Sequence, residues 1–111
     1  MNPDDPRTFG GAISQKRKQL GLSQKQLAAR IQREEGGQIS PQYLNDIEHD
    51  RRNPSSDHII GEFARELSLK PDYLYVLAGR IPTRLRDLTF SEQQVDRLVA
   101  AAYRRGTSGR R

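Results

Sequence analysis

"ISPQYLNDIEHDRRNPS", residues 39–55, reads as one short helix with a marked start and a marked stop. Ser40 followed by Pro41 is the start signal. The hydroxyl can accept an orphan backbone N–H, and proline costs nothing at the first helical position, where its missing N–H would have no partner. "RRNPSSD" is the turn that stops it. At about 100° per residue, Leu44 and Ile47 share one side, flanked by Tyr43. Pro41, Gln42, Asn45 and His49 gather on the opposite side, with Asp46 beside them. That outer face is polar and rich in amides. Gln and Asn pair bidentately with adenine in the major groove, and Asp can accept from cytosine N4. A merely solvated face has the same make-up, so this helix alone leaves both readings open.

Working outward, the apolar pattern is helical throughout, with neither a strand pattern nor an internal repeat. Phe9, Ile13 and Leu20 form a stripe, with Ala12 and the stem of Lys16 or Arg17 beside it, and Gly21 ends that helix. Ser23 precedes "QKQLAARI" with Gln26 three residues on, a capping box, and Leu27, Ala28 and Ile31 make the apolar face. After the opening stretch, Ser56 or Asp57 can cap a fourth helix that buries Ile59, Ile60, Phe63, Ala64 and Leu67. Pro71 opens a fifth, "PDYLYVLAG", closed by Gly79. Thr89 with Glu92, or Ser91 with Gln94, can cap a sixth that carries Val95, Leu98, Val99 and Ala102. "GTSGRR" is expected to be disordered. The second and third helices, short and joined by a polar link, are the raw material of a helix-turn-helix.

Composition sets the outer limits. The chain has 111 residues, is 33% hydrophobic, and contains neither Trp nor Cys. One small helical core is expected, without a disulfide framework or a thiolate metal site. No apolar run is long enough for a membrane span, which points to a soluble, cytoplasmic protein. Net charge is +5, but the first 79 residues balance, and the surplus lies in 80–111, where eight Arg face three acids. A basic chain suggests a polyanionic partner, yet here the charge points to the tail. His49 and His58 are the only histidines. Without Cys, paired carboxylates or a Gly-rich phosphate loop, an enzyme, a metal or a cofactor is not expected.

"GLSQKQLAARI", the opening stretch and "LSLKPDYL" together resemble the XRE-type bacterial helix-turn-helix regulators, which include the Cro-like phage repressors. The anchors run in order over residues 9–79: Leu22-Ser23-Gln24, Leu27-Ala28, Ser40, Leu44, Ile47-Glu48, and Arg52-Asn53-Pro54-Ser55. The resemblance implies an all-α, lambda-repressor-like domain of five helices over 1–79. Its third helix enters the DNA major groove, commonly as a homodimer on a near-palindromic site. A linker and C-terminal amphipathic helix follow over 80–105, and a disordered tail over 106–111.

Carried over position by position, the resemblance makes Ser40, Gln42, Asn45 and Asp46 base-facing, with Pro41 on the same face. Gln24 becomes a phosphate contact, Arg51 and Arg52 grip the backbone, and Lys25, Tyr43 and His49 join this backbone group. It also implies a structural ion pair between Arg17 and Glu48. Asp50 stands where the family usually has Gly, and Asp tolerates the left-handed conformation better than most residues. Asp46 would repel phosphate, so it either reads a cytosine or rejects wrong sequences.

The chain departs from the family by about six extra residues around "QREEGGQ", between the second and third helices. Either the second helix runs a turn longer or loop 32–38 bulges outward. Glu34 and Glu35 argue for placing that loop away from the DNA backbone or against a protein partner. Val95, Leu98, Val99, Ala102 and Tyr103 form a stripe on a helix too short to stand alone in water. It either packs on its own domain or makes dimer contacts. The tail arginines either add DNA attraction or keep the chain soluble. A DNA-binding repressor is the function implied. An antitoxin-like or scaffold module that keeps the fold and binds a protein partner is the alternative.

Overall fold

The computed structural model describes residues 6–108. Hydroxyl caps decide where most of the helices begin. Thr8 accepts the Gly11 N–H and opens α1 (Phe9–Gln19). Ser23 and Gln26 close a full capping box on α2 (Gln24–Ala28). Ser40 accepts the Tyr43 N–H ahead of α3 (Pro41–Glu48), and Ser56 accepts the Ile59 N–H ahead of α4 (Asp57–Leu67). Pro71 occupies the first turn of α5 (Pro71–Leu77). A single turn, α6 (Thr83–Arg86), lies in the stretch expected to be plain linker. α7 (Glu92–Ser108) follows a Ser91–Gln94 capping box, in which each backbone N–H bonds the other's side chain at 2.8 and 3.1 Å.

Two of the helix ends, those of α1 and α3, share one closure. At α1, the N–H groups of Gly21 and Leu22 return to the carbonyls of Lys18 and Arg17, with Gly21 left-handed at φ 72°. That is the Schellman closure, which satisfies the last carbonyls of the helix. α3 closes in the same way. Asp50 and Arg51 return to Ile47 and Asp46, and Asp50 takes φ 57° where glycine would be easiest.

The core gathers Ile13, Leu27, Ile31, Leu44, Ile47, Ile60, Phe63, Leu67 and Leu74, all fully buried. Burial of each such side chain contributes roughly 1.5–3 kcal/mol. Phe9 meets Phe63 edge-on at 5.9 Å between ring centroids. α1 packs on α3, α4 and α5, and α2 packs on α3. Gly10 allows the α1–α3 approach, because a Cβ there would stand 2.1 Å from the Ile47 carbonyl oxygen.

Leu20 corrects the expected stripe. It is 47% exposed, because the helix ends at Gln19 and Arg17 and Leu22 take over the inward side. α2 is also shorter than the pattern suggested. Ile31 is buried just beyond it, on a turn.

The inserted loop is a small hairpin. Gln32 bridges Gln38 in antiparallel fashion, the Arg33 N–H reaches the Gly37 carbonyl, and the Ile39 N–H reaches the Ile31 carbonyl. Ile31 and Ile39 are both buried at its base, so the insert leaves the α2–α3 packing intact. α4 clamps the same base. The Gln32 N–H bonds the buried Glu62 carboxylate at 2.9 Å, and His58 Nε2 lies 2.9 Å from the Gln32 carbonyl.

α7 stands outside this core. Among its described side chains none is buried, and only Ala100 and Ala101 are half-covered. The helix continues to Ser108, three residues into the stretch expected to be disordered; residues 109–111 lie outside the described ones.

Candidate nucleic-acid interface

Leu44 and Ile47 are fully buried, and this fixes the rotation of α3. Ser40, Pro41, Gln42 and His49 are left exposed, with Asn45, Asp46 and Tyr43 half-exposed. What holds the helix from behind is an ionic network. Arg17 Nε donates to Glu48 Oε2 at 2.6 Å and Arg17 Nη2 to Oε1 at 2.9 Å. Arg17 Nη1 donates to the Leu22 carbonyl at 2.7 Å. Both charged residues are 8% exposed. A buried pair is tolerable only when its remaining donors and acceptors are satisfied, and no buried side-chain polar atom lacks a partner among the described residues.

Gln24 completes the network. Its Nε2 donates to Glu48 Oε1 at 3.0 Å and to Asn45 Oδ1 at 3.2 Å. Both protons of that amide are therefore directed at α3, and its remaining oxygen cannot donate to a phosphate. The side chain read from the resemblance as a phosphate contact serves here as a tie between α2 and α3. Lys25, next to it, is exposed.

On the outer face the side chains brace one another. Gln42 Nε2 donates to Asp46 Oδ1 at 3.0 Å, and Arg51 Nη1 stands 3.7 Å from the same oxygen. Asp46 thus holds Gln42 in place and is partly offset by Arg51. Gln42 keeps its carbonyl and one N–H for a partner outside. Asn45 keeps both N–H groups, since only its oxygen is engaged by Gln24. His49 Nδ1 sits 2.8 Å from the Asn45 carbonyl. Tyr43 accepts the Ser55 N–H at 3.0 Å, and the Arg52 guanidinium lies over its ring at 5.2 Å, a cation–π contact.

Asp50 does more than replace a turn glycine. Its carboxylate accepts from Thr8 Oγ1 at 2.8 Å and from the Gly10 N–H at 3.0 Å, so the end of α3 caps the start of α1. An acid at that place also suits the positive end of the α1 dipole. The "GG" pair of the first helix was the available sign of a close approach.

The arginines of "RIPTRLR" are paired with acids of the domain. Arg80 meets Asp57 at 3.0 Å and the Pro54 carbonyl at 2.8 Å. Arg84 meets Asp72 at 2.7 Å. Arg86 also bonds Asp57 and lies over the Tyr75 ring at 5.2 Å. The Arg86 guanidinium holds the Asp57 carboxyl below its usual range. These arginines fasten α6 to the domain and add little free positive charge.

Val95, Leu98, Val99 and Tyr103 remain exposed on α7, with Ala102 on the same side. Together with Val76, Ile81, Leu85 and Phe90, Val95, Leu98, Val99 and Ala102 line an apolar groove of about 530 Å³. No group of three or more His, Cys, Asp or Glu is placed to hold a metal among the described residues. No helix there is long and apolar enough to cross a membrane.

A capped α2 fastened by its first residue to an α3 that turns an amide-bearing face outward is a helix-turn-helix. The family model for the helix-turn-helix of the XRE type matches residues 13–74, from within α1 to within α5. No curated protein and no solved structure matches the chain. The match spans more than half of the sequence, and the chain belongs to the XRE-type helix-turn-helix family of DNA-binding transcriptional regulators.

Proposed function

We propose that the protein is a repressor that lays α3 in the major groove of a near-palindromic operator as a homodimer. The observation that carries this reading is the pre-set pair Gln42 and Asn45. Each is held from one end, Gln42 by Asp46 and Asn45 by Gln24; Gln42 keeps its carbonyl and one N–H for a base edge, and Asn45 keeps both N–H groups. Fixing an amide before binding removes part of the ordering cost of the complex. Ser40 and Pro41 flank the pair at the entering end, and Asp46 limits which bases fit beside it. Lys25, Tyr43, His49, Arg51 and Arg52 are the backbone-facing group, a role that needs positive charge or donors without base specificity.

Selection of bound duplexes from a random pool tests this reading. It should enrich one motif with two related half-sites about one helical turn apart. Binding without any enriched motif would contradict it and favour a protein-interaction module, for which the apolar groove beside α7 is the surface.

The same groove supports the dimer. α7 carries Glu92 and Asp96 in its first half and Arg97, Arg104 and Arg105 further along. An antiparallel pair of such helices sets opposite charges side by side while covering Leu98 and Val99. Leu98→Glu, at a position 52% exposed, should leave the fold intact and convert the dimer to a monomer in sedimentation equilibrium. A dimer persisting with that substitution would contradict the assignment of α7.

A further inference from the structure

Glu34 and Glu35 argue for placing the inserted hairpin away from the DNA backbone or against a protein partner, because they would repel phosphate. Its geometry separates the charges. Arg33, Tyr43 and Arg52 together form a ridge shared by two clefts. The larger, of about 380 Å³, lies toward α4 and is lined by Glu34, Glu35, Ser55 and Ser56 as well. The smaller, of about 220 Å³, lies on the side of α3 and adds Ser40, Gln42 and Asp46. The glutamates border only the α4 side. Among the residues of the insert, Arg33 alone also borders the face assigned to base reading.

Arg33 is not at the tip of a loose loop. Its N–H is tied to the Gly37 carbonyl, and the next residue back, Gln32, is clamped by Glu62 and His58. Its own ion pair with Glu35, at 4.0 Å, is long, and its side chain is 47% exposed. Such a pair contributes little, so the guanidinium can turn to a stronger anion. A helix with its side chains is about 10–12 Å across and fills a major groove about 12 Å wide. Whatever flanks its entering end therefore meets the phosphates that wall the groove.

We propose that Arg33 is a further DNA contact. The inserted hairpin acts as a wing beside the N-terminal end of α3 and, with Arg52, clamps one phosphate strand. This inference rests on the reading of α3 as the element that enters the groove. A guanidinium suits the task because it can offer a phosphate two parallel N–H bonds. The contact is sequence-independent, so it adds affinity and fixes register while leaving base choice to Gln42 and Asn45.

Arg33→Ala in the full chain, titrated against the selected motif and a scrambled duplex over a range of salt, tests it. Binding to both duplexes should weaken several-fold in equal proportion. The slope of log K against log salt should become shallower by about 1. Arg33→Lys should keep the slope, and thermal melting of both variants should match the wild type. An unchanged slope and affinity in Arg33→Ala would overturn the wing assignment, while continued motif preference in that variant would leave the α3 reading standing. A wild type that shows no motif preference would overturn both.

Discussion

Glu48→Ala should destabilise the fold by about 3–5 kcal/mol, the usual cost of leaving a buried charge without its partner. Arg17 has three bonds in the native state, and two of them go to Glu48. Removing the carboxylate strands a guanidinium in a site 8% exposed, and Gln24 loses one of its two acceptors. Domains of this size have total stabilities of about 5–15 kcal/mol, so much of the population should unfold at modest urea concentrations. Glu48→Gln keeps the shape and one acceptor oxygen and should fall between the two. Urea unfolding followed by circular dichroism measures the difference. A change below about 1 kcal/mol in Glu48→Ala would show that the pair does not hold α3. Where Glu48→Gln remains folded, it should still select the wild-type motif, because Glu48 faces α1 and α2.

The second large effect concerns recognition. Gln42→Ala combined with Asn45→Ala removes the two amides offered to the groove. Each good bidentate contact discriminates by about 1–3 kcal/mol, so losing both should cost roughly thirtyfold or more in preference for the selected motif. Attraction to scrambled DNA should persist, since Lys25, Arg51 and Arg52 are untouched. Neither side chain is buried, so the double variant should melt close to the wild type. A small decrease is expected because Gln24 loses its acceptor on Asn45, at roughly 0.5–1.5 kcal/mol for one hydrogen bond.

Local signals made much of this fold legible. Ser23 with Gln26, Ser40 with Pro41, and Ser91 with Gln94 are start signals contained within four residues. Gly21 and Gly79 mark ends in the same local way. Leu44 and Ile47 set the rotation of α3, and hence its outer face, from the sequence of one helix.

The features missed are those whose partners are distant in sequence. Glu62 carries a charge on a helix that reads as amphipathic, and nothing nearby shows that it will be buried. Its burial depends on an N–H from Gln32, thirty residues earlier. Asp50 could be read as a tolerable substitute for glycine, but its bonds to Thr8 and Gly10 exist only once α1 and α3 have crossed. Arg80, Arg84 and Arg86 read in the sequence as charge for DNA or solvent, and their pairing with Asp57 and Asp72 exists only in the fold. Glu34 and Glu35 argue for placing the insert away from the DNA backbone or against a protein partner. Only the folded hairpin separates the side that carries them from the side that Arg33 shares with α3.

The central claim is that Gln42 and Asn45 read the bases while the rest of the interface supplies attraction. It is tested most directly by the ratio of affinities for the selected motif and a scrambled duplex, measured at one salt concentration for the wild type and the Gln42→Ala, Asn45→Ala variant. The ratio should fall by about thirtyfold or more in the variant, with affinity for the scrambled duplex little changed. An unchanged ratio would contradict the account and move sequence recognition away from α3.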